Sequence, residues 1–261
     1  MNLDLSNKNA IVCGSSAGIG KASALELAGM GATITLVARN EEKLKAVLSE
    51  LPTGHGQEHD YMVADFTQPA ALKEKLLNVT LQKNYHILIN NTGGPKGGAA
   101  YAAEVAEFEN AFKMHLVCNQ ILVQSVVPGM ELEGYGRIIN IISTSVKQPI
   151  EGLGVSNTIR GAVANWSKTL SVELGPKGIT VNNVLPGFTA TDRLTDIVSN
   201  AARKMNKTED EAIAFMKKLV PARRFAQPEE VANAVAFLAS PAAGYVNGIN
   251  LPVDGGRTKS L

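Results

Sequence analysis

The 261-residue sequence has little of several features that mark particular classes of protein. Its two cysteines, Cys13 and Cys118, lie in apolar surroundings without C-x-x-C spacing or a histidine cluster, which argues against a disulfide framework and a metal site. Aromatic residues make up only 5% of the chain. The 25 basic and 24 acidic residues are interspersed, so the sequence indicates no basic surface for nucleic acid.

Long apolar runs and a leader pattern are also lacking. No stretch reaches about 18 uninterrupted apolar residues, so no association with a membrane is expected. The first ten residues are acidic and polar where a signal peptide needs a basic start and an apolar run. We therefore expect a cytoplasmic protein whose two cysteines are reduced and buried.

Apolar runs of strand length alternate with segments of helical spacing. Strands are predicted near 9–13, 33–38, 61–64, 87–90, 137–142, 180–184 and 248–253, and helices near 21–30, 41–51, 69–81, 105–130, 154–174 and 228–238. The 45% hydrophobic content suffices for one large core, and no linker divides the chain. The pattern predicts an α/β protein in which residues 1–261 form a single-domain, doubly wound parallel sheet with helices on both faces, of the Rossmann-like type.

A glycine-rich turn joins the first predicted strand to the first predicted helix. Gly14, Gly18 and Gly20 follow a G-x-x-x-G-x-G spacing. Such a turn lets the backbone approach a pyrophosphate, and the helix N-terminus adds free N–H groups and a positive dipole end. Taken alone, the turn is also compatible with an ordinary tight connection between a strand and a helix.

Further motifs follow the glycine turn in a characteristic order. These are Asn90-Asn91-Thr92-Gly93, Pro186-Gly187, the segment 221–230 and the terminal Val-Asp-Gly-Gly of 253–256. In order and spacing the chain resembles the short-chain dehydrogenase/reductase family over nearly its whole length. One departure is Cys13, which stands where that family usually has a threonine.

The resemblance implies a dinucleotide site at named positions. These are Gly14, Ser15, Ser16, Gly18, Ile19, Gly20, Arg39, Asn40, Asp65, Asn91, Gly93, Arg160, Pro186, Gly187 and Thr189. At the end of the second strand Arg39 replaces the acidic residue that would favour NAD(H), so NADP(H) is the expected cofactor. Two alternatives stay open: Arg39 as a solvated residue at a helix start, and Asp65 as a helix N-cap.

The catalytic positions implied by the resemblance depart from the family pattern. Ser143 occupies the position of the serine that orients the carbonyl. Ser156, Arg160 and His115 occupy the positions where tyrosine, lysine and asparagine are usual. An aliphatic hydroxyl is a far weaker acid than a phenol, and an arginine is too permanently charged for a proton relay.

The proton donor therefore stays open at this point. His115 has an unperturbed pKa of about 6.5 that suits proton transfer near neutrality, although a lone helical histidine is more often structural. A bound water, Tyr101 or no donor at all are the other readings. Three further loop residues could border the site: Lys96, Ser145 and Lys147.

The predicted function is an NADP(H)-dependent oxidoreductase, similar to 3-oxoacyl reductases, that interconverts a small ketone and a secondary alcohol with altered proton delivery. A catalytically impaired nucleotide-binding protein with a sensor or assembly role is the alternative, and lyase or isomerase chemistry is a weaker one. Segment 189–224 resembles the family's substrate lid, with Phe188, Leu194 and Ile197 as apolar contributors to the pocket. A homo-oligomer, a tetramer or a dimer, is expected from the resemblance.

Overall fold

The β-branched and apolar runs form one parallel sheet in the structure, a computed structural model that describes residues 1–260. Leu261, the last residue of the predicted domain, lies outside that range. The strands are β1 (Asn9–Cys13), β2 (Thr33–Ala38), β3 (Asp60–Val63), β4 (Ile87–Asn90), β5 (Gly136–Ile141), β6 (Ile179–Pro186) and β7 (Asn250–Val253). Their order across the sheet is β3-β2-β1-β4-β5-β6-β7.

Helices cover both faces of this sheet. They are α1 (Gly18–Gly29), α2 (Glu41–Glu50), α3 (Pro69–Thr80), α4 (Val105–Phe112), α5 (Cys118–Glu133), α6 (Gly154–Leu174), α7 (Asp192–Met205), α8 (Glu209–Lys218) and α9 (Pro228–Ala239). Apolar residues of α1, α2 and α9 share one buried cluster with the strands, and those of α3, α5 and α6 share another. The predicted three-layer, doubly wound fold is confirmed.

The strand order reverses between β1 and β4, and this reversal places the site. β1 pairs with β2 on one side and with β4 on the other, so the connections leave in opposite directions. In such sheets a crevice opens beyond the carboxyl ends of the strands at the reversal. The glycine turn after β1 and the Asn91 loop after β4 both start there.

A row of asparagines joins the last four strands, and Asn90, Asn140 and Asn183 within it are buried. Asn90 donates to Asn140 at 2.8 Å, Asn140 to Asn183 at 2.9 Å and Asn183 to Asn250 at 2.8 Å. Because an unpaired amide inside a core is costly, this ladder favours one register of β4, β5, β6 and β7. It thereby holds the loops that follow those strands in fixed relative positions.

The predicted helix over 105–130 is not continuous. A π-helical stretch, Lys113–Val117, separates α4 from α5. The periodicity of apolar residues could not reveal it, because one extra residue per turn shifts the helical face only locally. His115 lies in this stretch.

Other differences concern element ends. β6 begins at Ile179 and extends to Pro186, beyond the predicted 180–184, and segment 189–224 divides into α7 and α8 around Asn206. Asn206 has a φ of 52°, a left-handed conformation that asparagine adopts readily at helix ends. Among residues 1–260, no helix has the length and apolar character needed to cross a membrane.

Candidate functional site

A cavity of about 840 Å³ opens at the carboxyl edge of the sheet, where the strand order reverses. Its walls come from the ends of β1, β2, β4, β5 and β6 and from the start of α7. Most of the predicted site residues line it: Gly14, Ser16, Gly18, Ile19, Arg39, Asn40, Asp65, Asn91, Gly93, Ser143, Ser156, Arg160, Pro186, Gly187 and Thr189. Ser15, Gly20 and His115 are not among its lining residues.

The glycine turn between β1 and α1 leaves room only for bare backbone. Gly14 and Gly18 have φ of +61° and +55°, a region that disfavours side chains. A Cβ at Gly20 would stand against the Gly14 carbonyl oxygen and 2.8 Å from Asn91 Nδ2. Gly20 therefore acts by permitting this close packing, which holds the start of α1 at the cavity wall.

The start of α1 has the features of an anion site. Its N-cap, Ala17, supplies no side-chain acceptor, so the first N–H groups of the helix are left for another partner. Ser15 is fully buried, and its Oγ accepts from the Val37 N–H at 2.9 Å, so it braces the turn against β2. These features fit the pyrophosphate of a dinucleotide.

Cationic side chains lie at the end of the cavity beside β2. Arg39 follows β2, and Lys43, which sequence reasoning missed, lies in the first turn of α2. Neither makes an ion pair with a carboxylate within the described part of the chain. Asn40 caps α2 by accepting from the Lys43 N–H at 2.9 Å, which directs the first turn of the helix toward the cavity. The two cations, Arg39 and Lys43, fit a phosphate ester on a nucleotide ribose.

Asp65 lies on the same side of the cavity, after β3. Its Oδ1 accepts from the Thr67 N–H at 2.9 Å, and this hydrogen bond lowers the pKa of the carboxyl group. The N-cap of α3 is Gln68, so Asp65 does not have the helix-capping role that its position also suggested. An ionised Asp65 is thus available as an acceptor at the cavity wall.

The opposite end of the cavity collects the predicted catalytic positions. Ser143 follows β5, and its Oγ accepts from the Ser145 N–H at 3.1 Å, so its own hydrogen remains free to be donated. Ser156 lies in the first turn of α6, one turn before Arg160 on the same helix. The three side chains therefore border one space.

Arg160 is buried, with 8% of its surface exposed. Its Nη1 donates to the Ile141 carbonyl at 2.8 Å, whereas its Nε has no partner among residues 1–260. Burial, and secondarily the positive charge of Arg193, lower the pKa of Arg160 to about 10. The guanidinium therefore remains charged at neutral pH.

His115 lies behind the cavity wall, in the π-helical stretch. It is 3% exposed, and a hydrogen bond links it to the Gly93 backbone. Burial first, and then the charge of Arg160, lower its pKa to about 3, while the Gly93 hydrogen bond opposes this shift. The imidazole is thus neutral near pH 7, in contrast to the unperturbed pKa on which its predicted relay role was based.

The other candidate donors lie outside the cavity. Tyr101 is fully exposed in a 3₁₀ turn, and neither Lys96 nor Lys147 contributes to the lining. Ser145 is buried, and its Oγ has no partner among residues 1–260. Across that same range, neither a tyrosine nor a histidine lines the cavity.

The start of α7 closes one side of the cavity. Phe188, Leu194 and Ile197 line it, as the sequence predicted, and they pack into an apolar cluster shared by α7 and α8. Three residues that sequence reasoning did not assign to the site also line it: Thr191, Asp192 and Arg193. Their position just after the Pro186-Gly187 motif was the one sequence feature that could have assigned them to the site. Only the fold shows that the start of α7 turns back over the edge of the sheet.

Fold and site together define a dinucleotide-binding α/β protein. Residues 14–258 match the family model described as enoyl-(acyl carrier protein) reductase. The chain is 33% identical, over 97% of its length and 98% of the relative's, to a 3-oxoacyl-(acyl-carrier-protein) reductase of Rickettsia bellii. It is 30% identical to the NADPH-dependent reductase BacG of Bacillus subtilis, covering 98% of this chain and all of that one.

A solved structure agrees with these matches. L-sorbose reductase from Gluconobacter frateurii, complexed with NADPH and L-sorbose, superimposes with a TM-score of 0.92 at 30% identity, with both chains fully covered. The chain belongs to the short-chain dehydrogenase/reductase family, as the order of its motifs predicted.

Proposed function

We propose that this protein is an NADP(H)-dependent oxidoreductase that interconverts a small ketone and its secondary alcohol, with protons delivered by a route other than a tyrosine. One cavity carries the proposal. The anion site at the start of α1 lies at one end of it, and Ser143, Ser156 and Arg160 lie at the other end. The activities of the relatives, among them an NADPH-dependent reductase, support the same chemistry.

The chain's own residues account for binding of NADP(H). The α1 N-terminus would hold the pyrophosphate, and Arg39 and Lys43 would hold the ribose phosphate. Asp65 would accept from the adenine amino group, while Asn91 and Gly93 would pack along the adenosine ribose. Pro186, Gly187 and Thr189 would face the carboxamide of the nicotinamide. The nicotinamide, when bound, supplies or accepts the hydride.

Orientation and charge at the carbonyl are assigned to two side chains. Ser143 would donate the hydrogen of its Oγ to the substrate oxygen, since that Oγ accepts from the Ser145 N–H and its hydrogen is left free. Arg160 would stabilise negative charge that develops on that oxygen, because a buried cation acts in a medium of low dielectric. A water held by Ser156 would deliver the proton to the substrate oxygen and take up a replacement proton from solvent water in the cavity. His115, neutral and behind the cavity wall, would not be the proton source.

Substitution of Ser143 tests this assignment. Ser143→Ala is expected to lower kcat for ketone reduction by about 10²–10³-fold, as loss of one donor to a developing oxyanion does elsewhere. The affinity for NADPH, measured by fluorescence titration, is expected to stay the same. Ser125→Ala is the matched control, because Ser125 donates to the Ile121 carbonyl in α5 and does not line the cavity. Full activity in Ser143→Ala would contradict the assigned role.

A nucleotide-binding protein without hydride chemistry is the second candidate. It is favoured by the cavity wall, where within residues 1–260 no phenol is present, and by the low pKa of His115. NADPH binding without turnover of any ketone, followed by turnover only in Ser156→Tyr/Arg160→Lys, would support it. Turnover by the wild-type protein would exclude it.

A cytoplasmic location, a homo-oligomer and a lid function for segment 189–224 belong to the same proposal. The lid function is supported by α7, whose start lies over the catalytic end of the cavity. Location and assembly are supported by the family alone. Size-exclusion chromatography with light scattering would measure the mass of the assembly.

A further inference from the structure

We infer that the substrate carries a carboxylate, which binds between Arg160 and Arg193, so that the ketone reduced by this protein is a short oxo acid. The inference deepens the proposed function and rests on it. It starts from the two cations that the structure brings to one end of the cavity, where the nucleotide phosphates do not lie.

Arg160 provides an unfulfilled donor in a nearly water-free position. Arginine has five N–H donors, and Nη1 of Arg160 is engaged with Ile141 while Nε is buried without a partner among residues 1–260. The buried Nε has almost no surface that a ligand could reach, so the donors left for a ligand are those of Nη2, which makes no hydrogen bond within residues 1–260 and lies toward Gly94. The two N–H groups of Nη2 and the second N–H group of Nη1 can serve a cofactor ribose and a substrate anion together.

Arg193 approaches the same place from α7. Its Nη2 donates to the Pro95 carbonyl at 2.8 Å. The neighbouring Gly94 lies beside Arg160, since a Cβ at Gly94 would be 3.6 Å from Arg160 Nη2. The two guanidinium groups thus border the same loop, near Gly94 and Pro95, and the charge of Arg193 acts on Arg160 to lower its pKa.

No ion pair within residues 1–260 neutralises this pair of charges. Within the described part of the chain, neither arginine forms an ion pair with a carboxylate. Asp192 lines the same end of the cavity as the first residue of α7, and it is exposed.

The small side chain of Ser156 leaves room for the anion. It lies one helical turn before Arg160 and faces the same cavity, so the space beside the reacting carbonyl is bordered by a hydroxyl and a guanidinium. A carboxylate fits that combination, because it accepts from both groups and pairs bidentately with arginine. Phe188 and Leu194 bound the cavity on the side of α7, which limits the chain length of the acid.

Matched substrates test the inference. Each of pyruvate, acetoacetate and levulinate is compared with its methyl ester, which has the same ketone without the charge, in NADPH oxidation assays. In at least one pair the acid is expected to have a kcat/KM about tenfold or more above that of the ester. Arg193→Gln is expected to remove most of this preference by lowering the acid's kcat/KM about tenfold, with the ester unchanged.

A charge-matched control and a binding measurement accompany the kinetics. Arg203→Gln removes the same charge from α7. Because Arg203 donates to Asn200 and does not line the cavity, the preference for the acid over the ester should persist in this variant. Arg193→Lys should retain part of it. The unreactive tertiary alcohol 3-hydroxy-3-methylbutanoate is titrated calorimetrically into protein saturated with NADP⁺, and Arg193→Gln is expected to weaken its binding.

The outcomes separate this inference from the proposed function. Reduction of esters at least as well as acids, or equal losses for both in Arg193→Gln, would overturn the carboxylate site and leave the reductase proposal standing. Arg193-dependent binding of the hydroxy acid without turnover of any ketone would support the carboxylate site and overturn the reductase proposal. Absence of both binding and turnover would overturn the two together.

Discussion

The two ends of the cavity differ in how closely they follow the family pattern. At the nucleotide end the glycine turn, Asp65 and Asn91 are present, and Arg39 is joined by Lys43. At the reaction end the resemblance predicts that Ser143 is kept and that Ser156, Arg160 and His115 stand where tyrosine, lysine and asparagine are usual. Nucleotide binding at the first end depends on the backbone geometry of the glycine turn, which added side chains would disrupt. Catalysis at the reaction end depends on the chemistry of a few side chains, which a substitution can change without altering the backbone.

The physical consequence is that the reaction end presents positive charge where the family pattern would place a proton donor. Arg160 stays charged with its pKa near 10, and His115 is neutral with its pKa near 3. A site of this kind holds anions better than it delivers protons. The contrast between the two ends can be tested by substitutions at each.

Gly20→Ala is expected to have the largest effect. The added Cβ would meet the Gly14 carbonyl and Asn91 Nδ2, so the turn must open and the affinity for NADPH should fall by more than about 100-fold, as overpacking costs of this size imply. Isothermal titration calorimetry measures the affinity of each variant for NADPH. Gly29→Ala in the same helix is the control, because a Cβ there meets nothing within 4 Å. Circular dichroism shows whether each variant folds, and unchanged affinity in folded Gly20→Ala would refute the tight-turn argument.

Removal of both cations beside β2 should have the second-largest effect on NADPH binding. Arg39→Ala/Lys43→Ala is expected to weaken NADPH binding by about 10- to 100-fold, as loss of charge-assisted hydrogen bonds to phosphate does, while NADH binding stays the same. Fluorescence titration of both nucleotides provides the measurement. Lys45→Ala controls for helix charge, since Lys45 pairs with Glu41 and Glu42 and lies outside the cavity. Equal losses for NADPH and NADH would show that the pair does not select the phosphate.

His115 should affect stability more than catalysis. Because its pKa in the folded state lies below that of the unfolded chain, the folded protein binds fewer protons between about pH 3 and 6.5, and stability falls as pH falls through that window. From pH 7 to pH 5 this group should cost about 2 kcal/mol. Urea unfolding of wild type and His115→Asn at both pH values measures the difference. Equal pH dependence of the two proteins would mean that His115 titrates normally.

Family, sheet and layer arrangement were predictable because they rest on local patterns. Apolar runs ending in glycine, asparagine or proline mark strands whose carboxyl ends meet at one edge, and the structure confirms that arrangement. The interruption of the 105–130 helix and the ladder from Asn90 to Asn250 were not predicted. Both depend on neighbours that are distant in the chain, and an isolated asparagine in a strand gives no sign of its partner.

Lys43 and Arg193 were missed for a similar reason. Each lies in a helix start whose sequence resembles an ordinary solvated surface, and only the direction in which the helix enters the sheet edge brings the side chain to the cavity. The mixed charges of 189–224 gave no reason to separate Arg193 from Arg203 on the same helix.

The sequence by itself determined the glycine turn and the residues from which the absence of the usual phenol at the reaction end is predicted, since both follow from which residue stands at each position. Only the tertiary structure decided the electrostatics of that end. Burial made His115 neutral and left Arg160 Nε unpaired, and the packing of α7 placed Arg193 where its charge acts on Arg160. Desolvation and the proximity of charges depend on how distant segments pack, so no local pattern contains them.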